Sequence, residues 1–386
     1  MEFSRKSAIR IIVLLGVLSM FSDITYEGAR SVSGPYLAQL GVGAAIIGLV
    51  SGFGELVGYT LRLFSGYAAD RTHAYWPLII SGVIVNLAAV PLLALTNRWE
   101  WAALLIIAER TGKAVRTPAR DVVLSQGAGI IGSGWGFSLH EALDEFGAFI
   151  GPLAVAFVLA KTGQYHAAFA WLAIPAALGI ATVFVARGAF PHPVSRESDE
   201  PQNESKSFPR AFWLYVAAGS LIALGFIDFP LIAYHFEKTK LIAQSLIPIY
   251  YAAATGVDAI TVLIFGRAFD RFGLPVLFVS VLVSAAAWPL VFLGTPVAAL
   301  IGMMCWGAGL GSHQSLLKAS IAGLVPSRRR GSAYGIFNTA YGILWFAGSA
   351  LAGFLYDRSV GAVVVFALAA QVAALPVLFN VRRRTA

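Results

Sequence analysis

Between Glu109 and Asp121 the sequence reads ERTGKAVRTPARD, a dense run of charge inside an otherwise apolar stretch. At about 100° per residue on a helix, Glu109, Lys113, Arg116 and Arg120 fall within roughly 60° of one another, with Arg110 about 100° from Glu109. Glu141, Asp144 and Glu145 follow in the next apolar stretch, and earlier in the chain Asp23, Glu27 and Arg30 stand at i, i+4 and i+7 on one helical face. Glu55 is a further acid in apolar surroundings. Buried groups of these types do one of two things. Opposite charges pair and tie helices together, or a carboxyl whose partner moves away takes up a proton, because apolar surroundings disfavour the ionised form. Asp23, Glu27, Glu55 and Asp144 are the candidates for proton exchange, and Arg30, Arg110, Lys113 and Glu141 for the lining of a polar cavity.

The elements that must carry these residues are set by composition. Of 386 residues, 58% are hydrophobic and only 12% charged, with a mean hydropathy of +0.74. A soluble chain carries about 25% charge, so disordered, fibrous and nucleic-acid-coating classes are excluded and the chain reads as membrane-embedded. Long unbroken apolar runs, such as 365–378, fit helices of ~20 residues rather than the alternating strands of a membrane barrel. Hydropathy predicts twelve helices, at 8–36, 44–69, 75–96, 100–124, 133–158 and 166–187, then 210–234, 243–269, 274–294, 296–323, 331–356 and 360–381. Residues 188–209, GAFPHPVSRESDEPQNESKSFP, form a polar, proline-rich linker, so the expected organisation is a six-helix bundle over 1–187, the linker, and a second six-helix bundle over 210–386. The first apolar run follows basic residues like a secretory signal, but it leads into Asp23 and Glu27 without a small-residue cleavage site and is read as an uncleaved helix.

The net charge of +8 is mostly a topology device. With a cytoplasmic N-terminus, sixteen basic residues fall on that side, including Arg5, Lys6, Arg10, Arg71, Arg271 and Arg328 to Arg330, against Arg98, Lys161, Lys238, Lys240 and Arg358 on the other. That bias places both termini inside. Spans three, six, nine and twelve have no charged residue in their interiors and suit lipid, whereas spans one, two, four, five, seven, eight and ten carry charge and must face one another or a central polar cavity. Counting from the membrane surface, Lys113 and Asp144 are each about 11 residues deep and Arg116 and Glu141 about 8. Antiparallel packing thus predicts Arg116 near Glu141, and Lys113 near Asp144 or Glu145. The second half offers polar aromatics instead: Tyr251, His313, Asn338 and Tyr341, with Tyr250, Tyr334 and Trp345, suit an amphipathic organic ligand as well as ordinary packing.

Cys305 is the only cysteine and the six histidines lack ligand spacing, so no disulfide, metal site or cofactor is expected. No phosphate-binding loop, HExxH or GxSxG motif is present, and Gly307, Gly309 and Gly311 follow no strand. The chain is therefore not read as an enzyme, nor as driven by ATP.

Residues 66–71, GYAADR, follow the second predicted helix, and 266–271, GRAFDR, follow the eighth on the same membrane side, a parallel repeat. On these strings, the twelve spans and the central linker, the chain resembles the major facilitator superfamily over essentially its whole length. Thr72, His73 and Ala74 stand where that family has basic residues. The resemblance implies two six-helix bundles around a cavity, working by alternating access. It also implies a conformational latch at Gly66, Asp70, Arg71, Gly266, Asp270 and Arg271. Gly147, Gly151 and Pro152 in GAFIGP resemble the end of the helix-five motif of exporting members, and Arg110 resembles the helix-four arginine of proton-coupled exporters. The implied function is secondary active transport of a small organic solute, coupled to protons and directed outward, by a monomer in the bilayer of the inner membrane with no nucleic-acid partner. Uptake or facilitated diffusion of an organic anion, drawn by Arg30, Arg62, Arg110 and Lys113, stands as an alternative, with a metal-ion exporter or a channel behind it.

Overall fold

A computed structural model describes residues 5–191, 208–325 and 330–385. Linker residues 192–207 and the side chains of Asp70, Asp270, Gln314 and Lys318 lie outside the described residues. The helices are α1 (Arg5–Gln39), α2 (Ala44–Thr72), α3 (Tyr75–Leu92), α4 (Trp99–Ile131), α5 (Ser133–Thr162), α6 (Tyr165–Trp171), α7 (Ala173–Ala189), α8 (Arg210–Leu224), α9 (Phe229–Thr239), α10 (Ile247–Phe272), α11 (Pro275–Leu293), α12 (Pro296–Leu324), α13 (Arg330–Tyr356) and α14 (Val360–Thr385). No strand occurs among the described residues. Since α6 with α7 and α8 with α9 each make one interrupted span, twelve spans result, close to the predicted boundaries. Ten helical segments among the described residues are long and apolar enough to cross a bilayer. The two long helices outside that set are α12 and α4, the latter carrying the charged run from Glu109 to Asp121.

The break between α8 and α9 is a departure from the predicted continuous helix. Gly225 ends α8, and Asp228 restarts the chain as the cap of α9, its Oδ1 accepting from the Phe229 N–H at 2.9 Å, with Pro230 in the first turn where no N–H is missed. The carbonyl of Ile227, freed by the break, accepts from Trp306 Nε1 at 2.9 Å. Irregular backbone at this depth needs such internal partners.

Packing divides the chain into two units. The first comprises Met1–Ala29 and Val57–Lys206. Its core is built from Ile11, Leu15 and Leu18 of α1, Trp76, Ile79, Val83 and Leu87 of α3, and Val123 and Val183. Asn86 of α3 donates to both the backbone carbonyl and Oε1 of Glu109, at 3.1 and 2.9 Å, which fixes α3 against the charged helix α4. The second unit comprises Arg30–Leu56 and Ser207–Ala386. It thus differs from the expected half by one segment, the end of α1 and the start of α2. That segment is tied down by backbone and charge: Gly34 packs on the carbonyl of Pro230, and Asp357 caps α2 by accepting from Ala44 and Ala45 N–H at 3.3 and 3.1 Å. The spans read as lipid-facing present exposed apolar side chains, among them Ile84 on α3, Phe184 on α7, Leu282 on α11 and Val365 on α14.

Candidate functional site

In the first unit the charged residues of α1, α4 and α5 form a ladder. Along α1, Ser19, Asp23 and Glu27 recur every four residues, and α4 brings Arg120, Arg116 and Lys113 past them, while α5 adds His140 and Asp144 one turn apart. The first rung is hydrogen-bonded throughout: Arg120 Nη1 donates to Ser19 Oγ at 2.8 Å, Ser19 Oγ and His140 Nε2 share a bond of 3.0 Å, and Arg120 also donates to Asp121 Oδ1 through Nε and Nη2 at 3.0 and 2.8 Å. On the third rung, Lys113 donates to the hydroxyl of Tyr26, which is also hydrogen-bonded to Glu27. The Lys113 ammonium lies 3.7 Å from the centroid of the Tyr26 ring and the Arg110 guanidinium 5.7 Å from it, two cation–π contacts on one ring. Arg110 also pairs with Glu109 at 3.4 Å.

The middle rung is the unusual one. Asp23 and Arg116 are buried, with exposures of 4% and 1%. Asp23 Oδ1, Asp144 Oδ1, and Nε and Nη1 of Arg116 have no hydrogen-bond partner among the described residues. Buried polar atoms are nearly always satisfied, so a cluster of unsatisfied ones marks a place where something other than static packing happens. The charges acting most strongly on Asp23 are Asp144 and Glu27 on one side and Lys113 and Arg116 on the other, and Arg120 acts on Asp144 from the first rung.

Lys113 and Asp144 act on one another electrostatically. Arg116 is different: the acids acting most strongly on it are Asp23 and Asp144, whereas Glu141 is exposed. Equal depth put Glu141 level with Arg116, but His140 and Asp144 define the inward face of α5 and Glu141 lies about 100° round from His140. Tyr26, Ser19 and His140 were not singled out by the sequence; the i, i+4 spacing of Ser19 with Asp23 and of His140 with Asp144 is the signal that points to two of them.

In the second unit Arg30 is the hub. Its Nη2 lies 2.5 Å from Asp228 Oδ1 and 3.4 Å from Glu55 Oε1, so this guanidinium joins two acids from different helices. The polar aromatics gather around Phe226 in the α8–α9 break, whose ring lies 5.1 Å from Trp345, 5.5 Å from Trp306 and 5.7 Å from His313. Tyr251 packs 4.2 Å from Phe229, and Tyr341 5.6 Å from Trp345. His313 is 1% exposed and neither ring nitrogen has a hydrogen-bond partner among the described residues. Asn338 is half-buried on α13.

The motif residues have legible packing. A side chain at Gly147 would strike the carbonyl of Met20, and one at Gly151 would meet the carbonyl of Ile24 at 2.5 Å, so these glycines let α5 lie directly on the backbone of α1 and hold Asp144 to the ladder. Gly147→Leu is expected to destabilise the protein by about 1–3 kcal/mol. Gly266→Leu, at a position where an added side chain meets open space, is expected to leave the midpoint of thermal unfolding in detergent unchanged. Of the residues expected to form a latch, Arg71 donates to Tyr67 Oη at 3.1 Å, Arg271 stacks on Phe272 at 5.2 Å, and Gly66 has Pro118 at an ordinary 3.6 Å from an added Cβ.

This arrangement has known relatives. An uncharacterized protein of Mycobacterium tuberculosis is 40% identical over 383 residues, covering 97% of this chain and 94% of the relative. An uncharacterized MFS-type transporter of Methanocaldococcus jannaschii is 24% identical over 370 residues, 90% of this chain and 89% of its own. Among solved structures, a crystal structure of a mutant of the nucleoside transporter NupG superposes with a TM-score of 0.79 over 97% of this chain and 99% of that one, at 14% identity, so the two share a fold. The family model for the Major Facilitator Superfamily matches residues 13–349 and 222–385. Twelve spans, the repeated sequence motif, the fold and the family model agree, and the chain belongs to the major facilitator superfamily.

Proposed function

We propose that this transporter moves a small organic solute outward by alternating access, coupled to protons taken up and released at the ladder of α1, α4 and α5. The observation that carries this reading is Asp23: buried, with one carboxylate oxygen that has no hydrogen-bond partner among the described residues, beside the acids Asp144 and Glu27. A carboxylate in apolar surroundings beside other acids is costly when ionised, and one proton removes that cost. Asp144 and Glu27 share the same field and exchange protons with it, while Lys113 and Arg116 supply the counter-charges that the solute's arrival rearranges. Glu55, held near Arg30, is a second place where protonation would release an ion pair. The aromatic group of Tyr251, His313 and Tyr341, with Asn338 beside it on α13, provides flat apolar surface with polar tips for an amphipathic solute.

Outward direction is supported by GAFIGP, whose glycines set α5 on α1. The excess of basic residues at the predicted cytoplasmic loops supports an inner-membrane protein with both termini inside. Its working form is read as a monomer of two bundles, 1–187 and 210–386, joined by 188–209, with the repeated Asp-Arg loops as the latch. Reconstitution into liposomes with an imposed pH gradient, screened with labelled organic cations and anions, tests the proposal. Accumulation of a solute that disappears when the gradient is collapsed is the expected result. Flux of an anion indifferent to the gradient would instead establish facilitated diffusion.

A further inference from the structure

The proton-exchanging rung is buried, which raises the question of how protons reach it. Asp23 is 4% exposed and Asp144 lies on the same ladder, but the adjoining first rung ends at Asp121, whose side chain is 46% exposed. Between the two stands His140. It is 2% exposed, joined to Ser19 Oγ at 3.0 Å, and one helical turn from Asp144, whose carboxylate lies within its field. Ser19 in turn is one turn from Asp23 on α1. The groups acting on the imidazole are Arg116, Arg120 and Asp121 from α4, Ser19 from α1, and Asp144 from its own helix. Two arginines cannot carry a proton onward, since they do not deprotonate in proteins. A serine hydroxyl and an imidazole can.

We propose, resting on the proton-coupled reading above, that His140 relays protons between the exposed end of the ladder at Asp121 and the Asp23–Asp144 rung. In the inward step a protonated Asp121 gives its proton to the neutral imidazole: an O–H bond breaks, an N–H bond forms, Asp121 is left as a carboxylate and the ring becomes imidazolium. It then gives an N–H proton to a carboxylate oxygen of the rung: an N–H bond breaks, an O–H bond forms, the carboxylate becomes a neutral acid and the imidazole returns to its neutral form. Release runs the same steps backwards. Ser19 orients the ring through Nε2, and Arg120, donating to Ser19, fixes the hydroxyl in turn.

The test follows the proton itself. Purified full-length protein in a weakly buffered, dye-monitored solution is moved rapidly from mildly alkaline to mildly acidic pH, and proton uptake is timed. The wild type is expected to take up one proton that Asp23→Asn does not. His140→Gln, which retains a hydrogen-bonding group for Ser19, is expected to take up that same proton about a hundredfold more slowly, the scale of effect of a positioned acid–base group. His140→Gly is expected to recover speed on addition of free imidazole, which a purely structural histidine would not produce. Wild-type speed in His140→Gln, with Asp23→Asn still lacking the proton, overturns the relay and leaves the coupling site standing. No difference between wild type and Asp23→Asn counts instead against the coupling reading beneath it.

Discussion

Asp23→Asn is expected to abolish solute movement driven by a pH gradient, a fall of roughly a hundredfold or more in the coupled rate, while the protein stays folded. The two halves of that expectation have separate physical grounds. Coupling is lost because an amide cannot take or release the proton. Folding is kept because Asn has the same shape, and because Asp23 Oδ1 makes no hydrogen bond that the change would break. The neighbouring charges of Glu27, Asp144, Lys113 and Arg116 are left in place. Solute exchange across equal pH, measured in the same liposomes, should therefore persist. An Asn variant that still accumulates solute against its gradient when pH is imposed would remove Asp23 from the mechanism.

Arg30→Met is expected to have the largest effect on stability. Asp228 is 1% exposed and Glu55 15%, and both carboxylates point at the one guanidinium. Taking away the shared cation leaves buried acids without their counter-charge, which costs about 3–5 kcal/mol when one partner of a buried pair is lost. Asp228 has a second duty as the cap of α9, so the companion variant must preserve a side-chain acceptor. Asp228→Asn does so. The double variant Arg30→Met, Asp228→Asn is expected to recover a large part of the loss in thermal unfolding, because the uncompensated charge is gone and the cap remains. Additive losses in the double variant would mean that Arg30 acts through shape rather than charge.

The reach of the sequence can be judged from particular residues. Apolar length and turn residues place the helices, because in a bilayer every backbone polar group must be satisfied within its own helix and the hydrophobic thickness sets the length. The stripe on α4 was legible for the same reason, since helical spacing fixes which side chains share a face. Depth alone, however, does not fix direction around the axis. It put Arg116 level with Glu141, while packing turns His140 and Asp144 of α5 toward the ladder and leaves Glu141 exposed. Partners distant in the chain were not legible at all: nothing local in Arg30 indicates Asp228, and nothing in Asp357 indicates that it caps the start of α2. The break in the seventh span was encoded locally, in Gly225 followed by Asp228, Phe229 and Pro230, a stop and restart signal that the strong apolar character of the stretch obscured.

The central claim is that solute leaves in exchange for protons, and it is tested most directly by recording the proton. Liposomes carrying the reconstituted protein and an internal pH dye, given a solute found in the flux screen and no initial pH gradient, should show solute-dependent proton movement opposite to the solute. The Asp23→Asn protein should carry the solute with no proton signal. Solute flux in the wild type with an unchanging internal pH would contradict the account.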